Sequence, residues 1–194
     1  IRSVDYLVSR PEIDPDRIGM TGCSGGGTLT SYTMALDDRI VCAAPACYLT
    51  TFRALIQTIG PQDAEQNIFG QVAFGLDQPD YVLLRAPKPT IISSTTKDFF
   101  EIEGSWDNYR QSKRIYGKLG FPEKISLVEG GGGHGVPLEN LAAITQWMQR
   151  WLLDKDEPVD AVDYPALAET DLLCTDSGQV LTLPGERSVA DINA

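Results

Sequence analysis

Histidine is nearly absent from this sequence of 194 residues: there is one, His134. Cysteine is scarce as well, and four residues are too few for a disulfide scaffold. Cys23, Cys42, Cys47 and Cys174 form no C-x-x-C pair, and the carboxylates show no ligand spacing, so neither a metal nor an organic cofactor is expected. Cys42 and Cys47 read as two reduced core thiols, with a short-loop disulfide as the alternative, and Cys23 reads as buried. No run approaches the roughly 20 apolar residues that a membrane-spanning helix needs. Basic residues are outnumbered, 16 against 27 acidic ones, for a net charge of −11. An acidic surface repels phosphate backbones, so nucleic acid is excluded as an expected partner and polyanionic substrates are disfavoured.

What is present is ordinary globular material, 42% hydrophobic and 22% charged, long enough for one domain with a sizeable core. The chain opens on residues 1–9 with Val4, Leu7 and Val8 on one helical face, and Pro11 closes that helix. Short apolar runs at 17–22, 39–44, 89–94 and 124–129 read as strands. Helical patterns lie at 25–36, 52–59, 106–119 and 138–153, the first with Leu29, Tyr32, Thr33 and Leu36 on its inner side. Strands alternating with helices imply βα units and a mostly parallel sheet. Residues 60–80 read as a loop region with short helices, forming a cap or pocket rim. From 156 to 194 the composition becomes that of a linker and extension, in which 172–175 and 179–183 flank Asp176-Ser177-Gly178 as a hairpin.

Gly22-Cys23-Ser24-Gly25-Gly26 matches G-x-S-x-G. By composition a chance match is on the order of one in ten, so the context decides. A short apolar strand precedes the motif and a helical pattern follows, the arrangement of a nucleophile elbow. There a serine sits on a strained turn, glycines remove clashes with neighbouring elements, and the helix N-terminus stabilises a developing oxyanion. A tight glycine-rich turn is the structural alternative; the missing Lys-Ser/Thr ending excludes a P-loop.

A serine nucleophile needs a base. His134 lies in the flexible-looking run Gly130–Gly135, past the end of a strand, where parallel sheets place functional groups. Asp98 follows the strand 89–94 directly and can orient the imidazole. Glu101, Glu103 and Asp107 are rivals, although acids are favoured at a helix start in any case. The backbone N–H of Gly25 is the expected oxyanion donor.

On Asp14-Pro-Asp-Arg-Ile-Gly19, Gly22-Cys-Ser-Gly-Gly26, Lys97-Asp98 and Gly133-His134-Gly135, the chain resembles the α/β-hydrolase superfamily over residues 1 to about 155. Within it, the chain looks like the acetyl xylan esterase and cephalosporin-C deacetylase type; residues 63–67 and 150–153 add to that likeness. The resemblance implies a serine esterase removing acetyl or similar groups from a carbohydrate, with the triad Ser24, Asp98 and His134. A polysaccharide substrate from plants would place it outside the cytoplasm. Glucuronoyl methyl esterases and prolyl-oligopeptidase-like peptidases share these motifs, and a non-catalytic binding module on the same scaffold is the alternative of another class. The resemblance also implies that earlier strands, and the loop with a second oxyanion donor, lie outside these residues. They would belong to a longer product or to a partner chain carrying the first half of the fold. The alternative is a minimal hydrolase with a reduced sheet.

Overall fold

The computed structural model describes residues 1–60, 62–162 and 165–194, which fall into two compact units, 1–161 and 162–194. In the first, helix α1 (Arg2–Val8) leads to strand β1 (Ile18–Cys23), α2 (Gly25–Leu36) and β2 (Ile40–Ala46). Short helices α3 (Phe52–Thr58) and α4 (Gln78–Leu83) precede β3 (Thr90–Thr95), α5 (Ile102–Lys118), β4 (Ile125–Gly130) and α6 (Leu138–Leu153). Each expected strand is present, displaced by about one residue. The sheet has four parallel strands in the order β1-β2-β3-β4. All four therefore point the same way, and the turns leaving their carboxyl ends gather on one edge.

Alternation along the strands divides the core in two. Ala43 and Ile92 face one cluster, with Met34 from α2, Leu55 from α3, Val82 from α4 and Tyr116 from α5. Cys42, Ala44, Ala46 and Ile91 face the other, covered by Ile144 and Trp147 of α6. Burial on both faces explains why β2 and β3 read as unbroken apolar runs. β1 pairs only with β2 among the described residues, and its Gly19 and Thr21 are exposed.

Three expectations about helices are corrected. Leu7 of α1 is exposed, while Val4 is buried. In α2, Leu29 and Leu36 are exposed, and Thr28, Thr30, Ser31 and Met34 are buried instead. The hydroxyls of Thr28, Thr30 and Ser31 donate to the carbonyls of Ser24, Gly26 and Gly27 one turn back. Their polarity is satisfied inside the helix, so these small side chains let α2 lie close on β1 and β2. Gly27 takes this furthest: a Cβ there would sit 2.3 Å from the Ala46 carbonyl oxygen. Helix α5 starts at Ile102 rather than Trp106 because the Glu101 carboxylate accepts from the N–H groups of Glu103 and Gly104.

The second unit contains no strand among its described residues, so the hairpin expected around 176–178 is not formed. It holds α7 (Glu169–Leu172), a 3-10 turn at Val180–Thr182 and α8 (Val189–Asn193). Gly178 does take a turn conformation, with φ 69°. Across it, Ser177 Oγ and Thr182 Oγ1 lie 2.7 Å apart, and Thr182 Oγ1 donates to the Gln179 carbonyl at 2.7 Å. Local side-chain bonds thus curl the segment that would have paired. Leu173, Val180 and Leu181 remain exposed, so no buried face rewards a strand pair.

Candidate active site

The four carboxyl ends of the sheet deliver Ser24, Cys47, Asp98 and, through the glycine run, His134. Ser24 stands between β1 and α2 with φ 60° and ψ −120°. Such a conformation costs on the order of 1–3 kcal/mol in a non-glycine residue and persists only when its surroundings enforce it. The enforcement is visible: Ser24 N donates to Ala46 O at 3.0 Å, and Thr28 N donates to Ser24 O at 2.9 Å. A Cβ on Gly22 would meet the Gly26 carbonyl oxygen at 2.5 Å, whereas one on Gly25 or Gly26 meets nothing. The steric demand therefore falls on Gly22 and Gly27, not on the glycine that ends the motif. Gly25 occupies the first helical position, where the backbone N–H has no partner within the helix.

Asp98 and His134 are brought together. His134 Nδ1 lies 2.9 Å and 3.0 Å from the two carboxylate oxygens of Asp98. The Asp98 side chain is 1% exposed and that of His134 26%. Asp98 Oδ1 also accepts from Phe100 N at 3.1 Å. This network holds Nδ1 as the donor and leaves Nε2 to face a reactant. The rival acids are engaged elsewhere: Glu101 caps α5, Glu103 lies within its first turn, and Asp107 pairs with Arg110 at 2.8 Å.

The glycine run is less free than its composition suggests. Thr96 N donates to Gly130 O, Lys97 N to Gly132 O and Thr95 Oγ1 to Gly133 O, at 3.0, 2.9 and 2.9 Å. The turn carrying the acid is thus stitched to the loop carrying the base. Asn140 of α6 adds bonds to Ser93 Oγ and Ser94 O, holding the end of β3.

Two aromatic residues escaped the reading of the sequence. The His134 ring stacks on Phe99, with centroids 4.3 Å apart, and lies beside Phe100 at 5.8 Å. Their position immediately after Asp98 was the available signal. Both rings line a cavity of about 310 Å³ with Ser24, Ile59, Gln62, Asp63 and Gln66. The cavity joins the serine to the rings that pack on the histidine, and its far wall is the expected rim at 60–80. The structure has no hydrogen bond between Ser24 Oγ and His134 Nε2; contacts of this kind tighten in the substrate complex.

The fold also assembles Cys47, Asp98 and His134 with ligand-type atoms within 4.8 Å of one another, a grouping that spacing along the chain did not show. It does not fit a resident metal. His134 Nδ1 and Asp98 are already bonded to each other, and Cys47 Sγ donates to Gly135 O at 2.8 Å. Burial pushes the Cys47 thiol up to about 12, so it stays protonated at neutral pH. All four cysteines are free; Cys23 is half-buried rather than buried.

Asp98 offers a direct check on this geometry. Asp98→Asn is expected to lower kcat about 10⁴-fold, because an amide in place of the carboxylate stabilises the wrong imidazole tautomer. Asp107→Asn, on the surface of α5, is expected to stay within about twofold, since exposed ion pairs contribute little. Equal losses from both would remove Asp98 from the site.

Residues 1–74 match the family model described as acetyl xylan esterase (AXE1). The chain is 27% identical over 157 residues to a protein of Bacillus subtilis (strain 168) named "Putative hydrolase YtaP", covering 78% of this chain and 52% of that protein. Among solved structures, a carbohydrate esterase family 15 glucuronoyl esterase from Caldicellulosiruptor kristjansonii superposes with a TM-score of 0.66. It is 18% identical and covers 87% of this chain and 52% of its own. Methylesterase BT1017 superposes with a TM-score of 0.64 at 25% identity, covering 84% of this chain and 37% of its own. The chain thus spans about half the length of the relatives it matches first. By fold, this chain has the α/β-hydrolase architecture, a parallel sheet flanked by helices, of the esterase structures on which it superposes.

Proposed function

We propose that this chain carries the catalytic residues of a serine esterase acting on carboxylic esters of a carbohydrate, an acetyl ester foremost. The observation that carries the reading is the buried Asp98 holding His134 Nδ1 at the sheet edge where the strained Ser24 emerges. Ser24 Oγ attacks the ester carbonyl while His134 Nε2 takes its proton. Asp98 stabilises the imidazolium, and the Gly25 N–H receives the oxyanion. Collapse of the tetrahedral intermediate expels the alcohol, which takes the proton from Nε2. Water, deprotonated by the same nitrogen, then releases the acid and restores the serine. No step requires a metal or an organic cofactor. The match to the acetyl xylan esterase family supports the acetyl ester.

We extend the proposal to the free side of β1. Polypeptide outside residues 1–194 pairs there and brings a second oxyanion donor; the support is that the other edge of β1 has no partner strand among the described residues.

A second reading, hydrolysis of a methyl ester of a uronic acid, has its support in the superpositions on glucuronoyl esterases and on Methylesterase BT1017. A substrate panel on the full-length protein separates the two. Acetylated xylan is expected to be cleaved at least tenfold faster than a glucuronate methyl ester, with no cleavage of a prolyl anilide. The reverse order of the two esters would establish the second reading, and cleavage of the anilide alone a peptidase. A protein that a fluorophosphonate fails to label, and that cleaves none of these, would be a binding module.

A further inference from the structure

His134 sits in a loop that does little to hold it. Every other residue of 130–135 is glycine, and a Cβ built on Gly132, Gly133 or Gly135 would meet no atom within 4 Å. Gly132 and Gly135 take φ 107° and 151°, which residues with a Cβ rarely adopt. A run of glycine has the most backbone freedom to lose on folding, so the loop by itself does not fix the imidazole.

Two buried side chains fix the backbone on either side of it. Thr95 Oγ1, at the end of β3, donates to Gly133 O at 2.9 Å, and Cys47 Sγ, just past β2, donates to Gly135 O at 2.8 Å. These are the carbonyls immediately before and after His134, and among the described residues neither has another donor. Both side chains also border the acid. Thr95 Oγ1 lies 3.3 Å from Asp98 Oδ2, and Cys47 Sγ lies within 4.8 Å of an Asp98 carboxylate oxygen and of a His134 ring nitrogen. Burial keeps the Cys47 thiol protonated, and so a donor. Cys47 reaches this place with φ 49°, a left-handed conformation that a residue with a Cβ keeps only where its surroundings enforce it. The bond from Cys47 N to Ser93 O at 2.9 Å is part of that enforcement.

Resting on the esterase reading above, we propose that Thr95 and Cys47 are positioning residues, which clamp the two carbonyls flanking His134 and so hold its imidazole on Asp98 with Nε2 turned to the substrate. One jaw of the clamp comes from each of the two interior strands of the sheet, β2 and β3. The clamp supplies the order that the glycines cannot, and leaves them free to take the backbone angles of the loop.

The test measures kcat and KM for phenyl acetate on the full-length protein. Thr95→Val and Cys47→Ala each remove one donor with little change of shape. Each is expected to lower kcat about tenfold and to leave KM within about twofold, because a small displacement of the base slows proton transfer without touching substrate binding. Thr95→Ser restores the hydroxyl and is expected to return to within about threefold of the unaltered protein. In the double variant the losses are expected to fall well short of multiplying, since a loop freed on one side loses little more when released on the other. A loss that falls on KM, a serine variant no better than the valine one, or a double variant down about a hundredfold would overturn the assignment. A second measurement needs no turnover. In protein labelled with nitrogen-15 histidine, the Nδ1 proton that His134 donates to Asp98 gives an imidazole N–H signal, assigned by its loss in His134→Gln. It is expected to be sharp in the unaltered protein and broadened by exchange with water in both single variants. A signal equally sharp in all three would overturn the clamp. Absence of Ser24-dependent hydrolysis by the unaltered protein would instead overturn the esterase reading, and the clamp would then stand or fall on this signal.

Discussion

Ser24→Ala is expected to abolish ester hydrolysis, lowering kcat by about 10⁴-fold or more. The size follows from what the hydroxyl does. Without Oγ no acyl-enzyme forms, and His134 has no nucleophile to activate. What survives is the background from the Gly25 N–H and from substrate positioning. The variant should fold normally, because no side-chain hydrogen bond of Ser24 helps to hold α2, whose first turn is tied to the Ser24 carbonyl instead. Alanine must still adopt φ 60°, a strained value for any residue with a Cβ, but serine bears the same strain. Melting temperature should therefore be nearly unchanged while turnover and fluorophosphonate labelling disappear. Near-normal hydrolysis of an aryl acetate by the variant would remove the triad from consideration.

The largest effect on stability is expected far from that edge, at Arg85. Its side chain is 4% exposed and, among the described residues, pairs with no carboxylate. Instead the guanidinium donates to backbone carbonyls of Met34 (3.3 Å), Ile40 (2.9 Å), Lys88 (3.1 Å) and Pro89 (2.7 Å), and to Thr90 Oγ1. Met34 lies in α2, Ile40 opens β2, and residues 88–90 lead into β3. One planar, five-donor group thus ties together the amino-terminal ends of two strands and a helix that covers them. Burial draws its pKa down from the usual arginine value, yet arginine stays charged at any pH the fold meets. Arg85→Met would fill much the same volume but take this donor from the carbonyls of Met34 and Ile40 and from Thr90 Oγ1, at about 1–3 kcal/mol for each group left bare before relaxation, while Pro89 O keeps Ala43 N and Lys88 O keeps Tyr116 Oη. Allowing for water entry and partial repacking, the loss should be about 3–5 kcal/mol. For a chain of this size that lowers the melting temperature by roughly 10–15 °C. Arg85→Lys should fall between, because an ammonium cannot reach acceptors on three sides at once. A loss under about 1 kcal/mol in urea unfolding of Arg85→Met would show that the carbonyls find other partners, and would contradict the role given to the guanidinium.

These two residues mark how differently the parts of this protein can be read. The strands were legible because a sheet buried on both faces demands runs such as Ile40–Ala46 and Thr90–Thr95, and local composition shows them. The gathering of Ser24, Asp98 and His134 past the carboxyl ends of the strands was legible for a related reason. A parallel sheet places its functional groups just past the strand ends, so position after a strand locates them. The inward face of α2 was not legible. Leu29 and Leu36 carry the apolar signal, but close packing against β1 and β2 selects Thr28, Thr30 and Ser31, whose hydroxyls satisfy themselves within the helix. The tail misled in the opposite sense: a turn signal at 176–178 was real, but Leu172, Leu173, Val180 and Leu181 beside it stay exposed, and no strand forms among the described residues of that unit. Arg85 gave no local sign at all, since its five partners come from residues 34, 40 and 88–90. The same holds for Gln62 and Ile59, which share a cavity wall with Ser24 only because the chain folds back across 35 residues or more. Order along the chain and local periodicity determined the sheet, the elbow and the acid and base that follow it. Which side chains fill the space around them depended on long-range packing, where size, shape and hydrogen-bond partners compete between segments that carry no local record of one another.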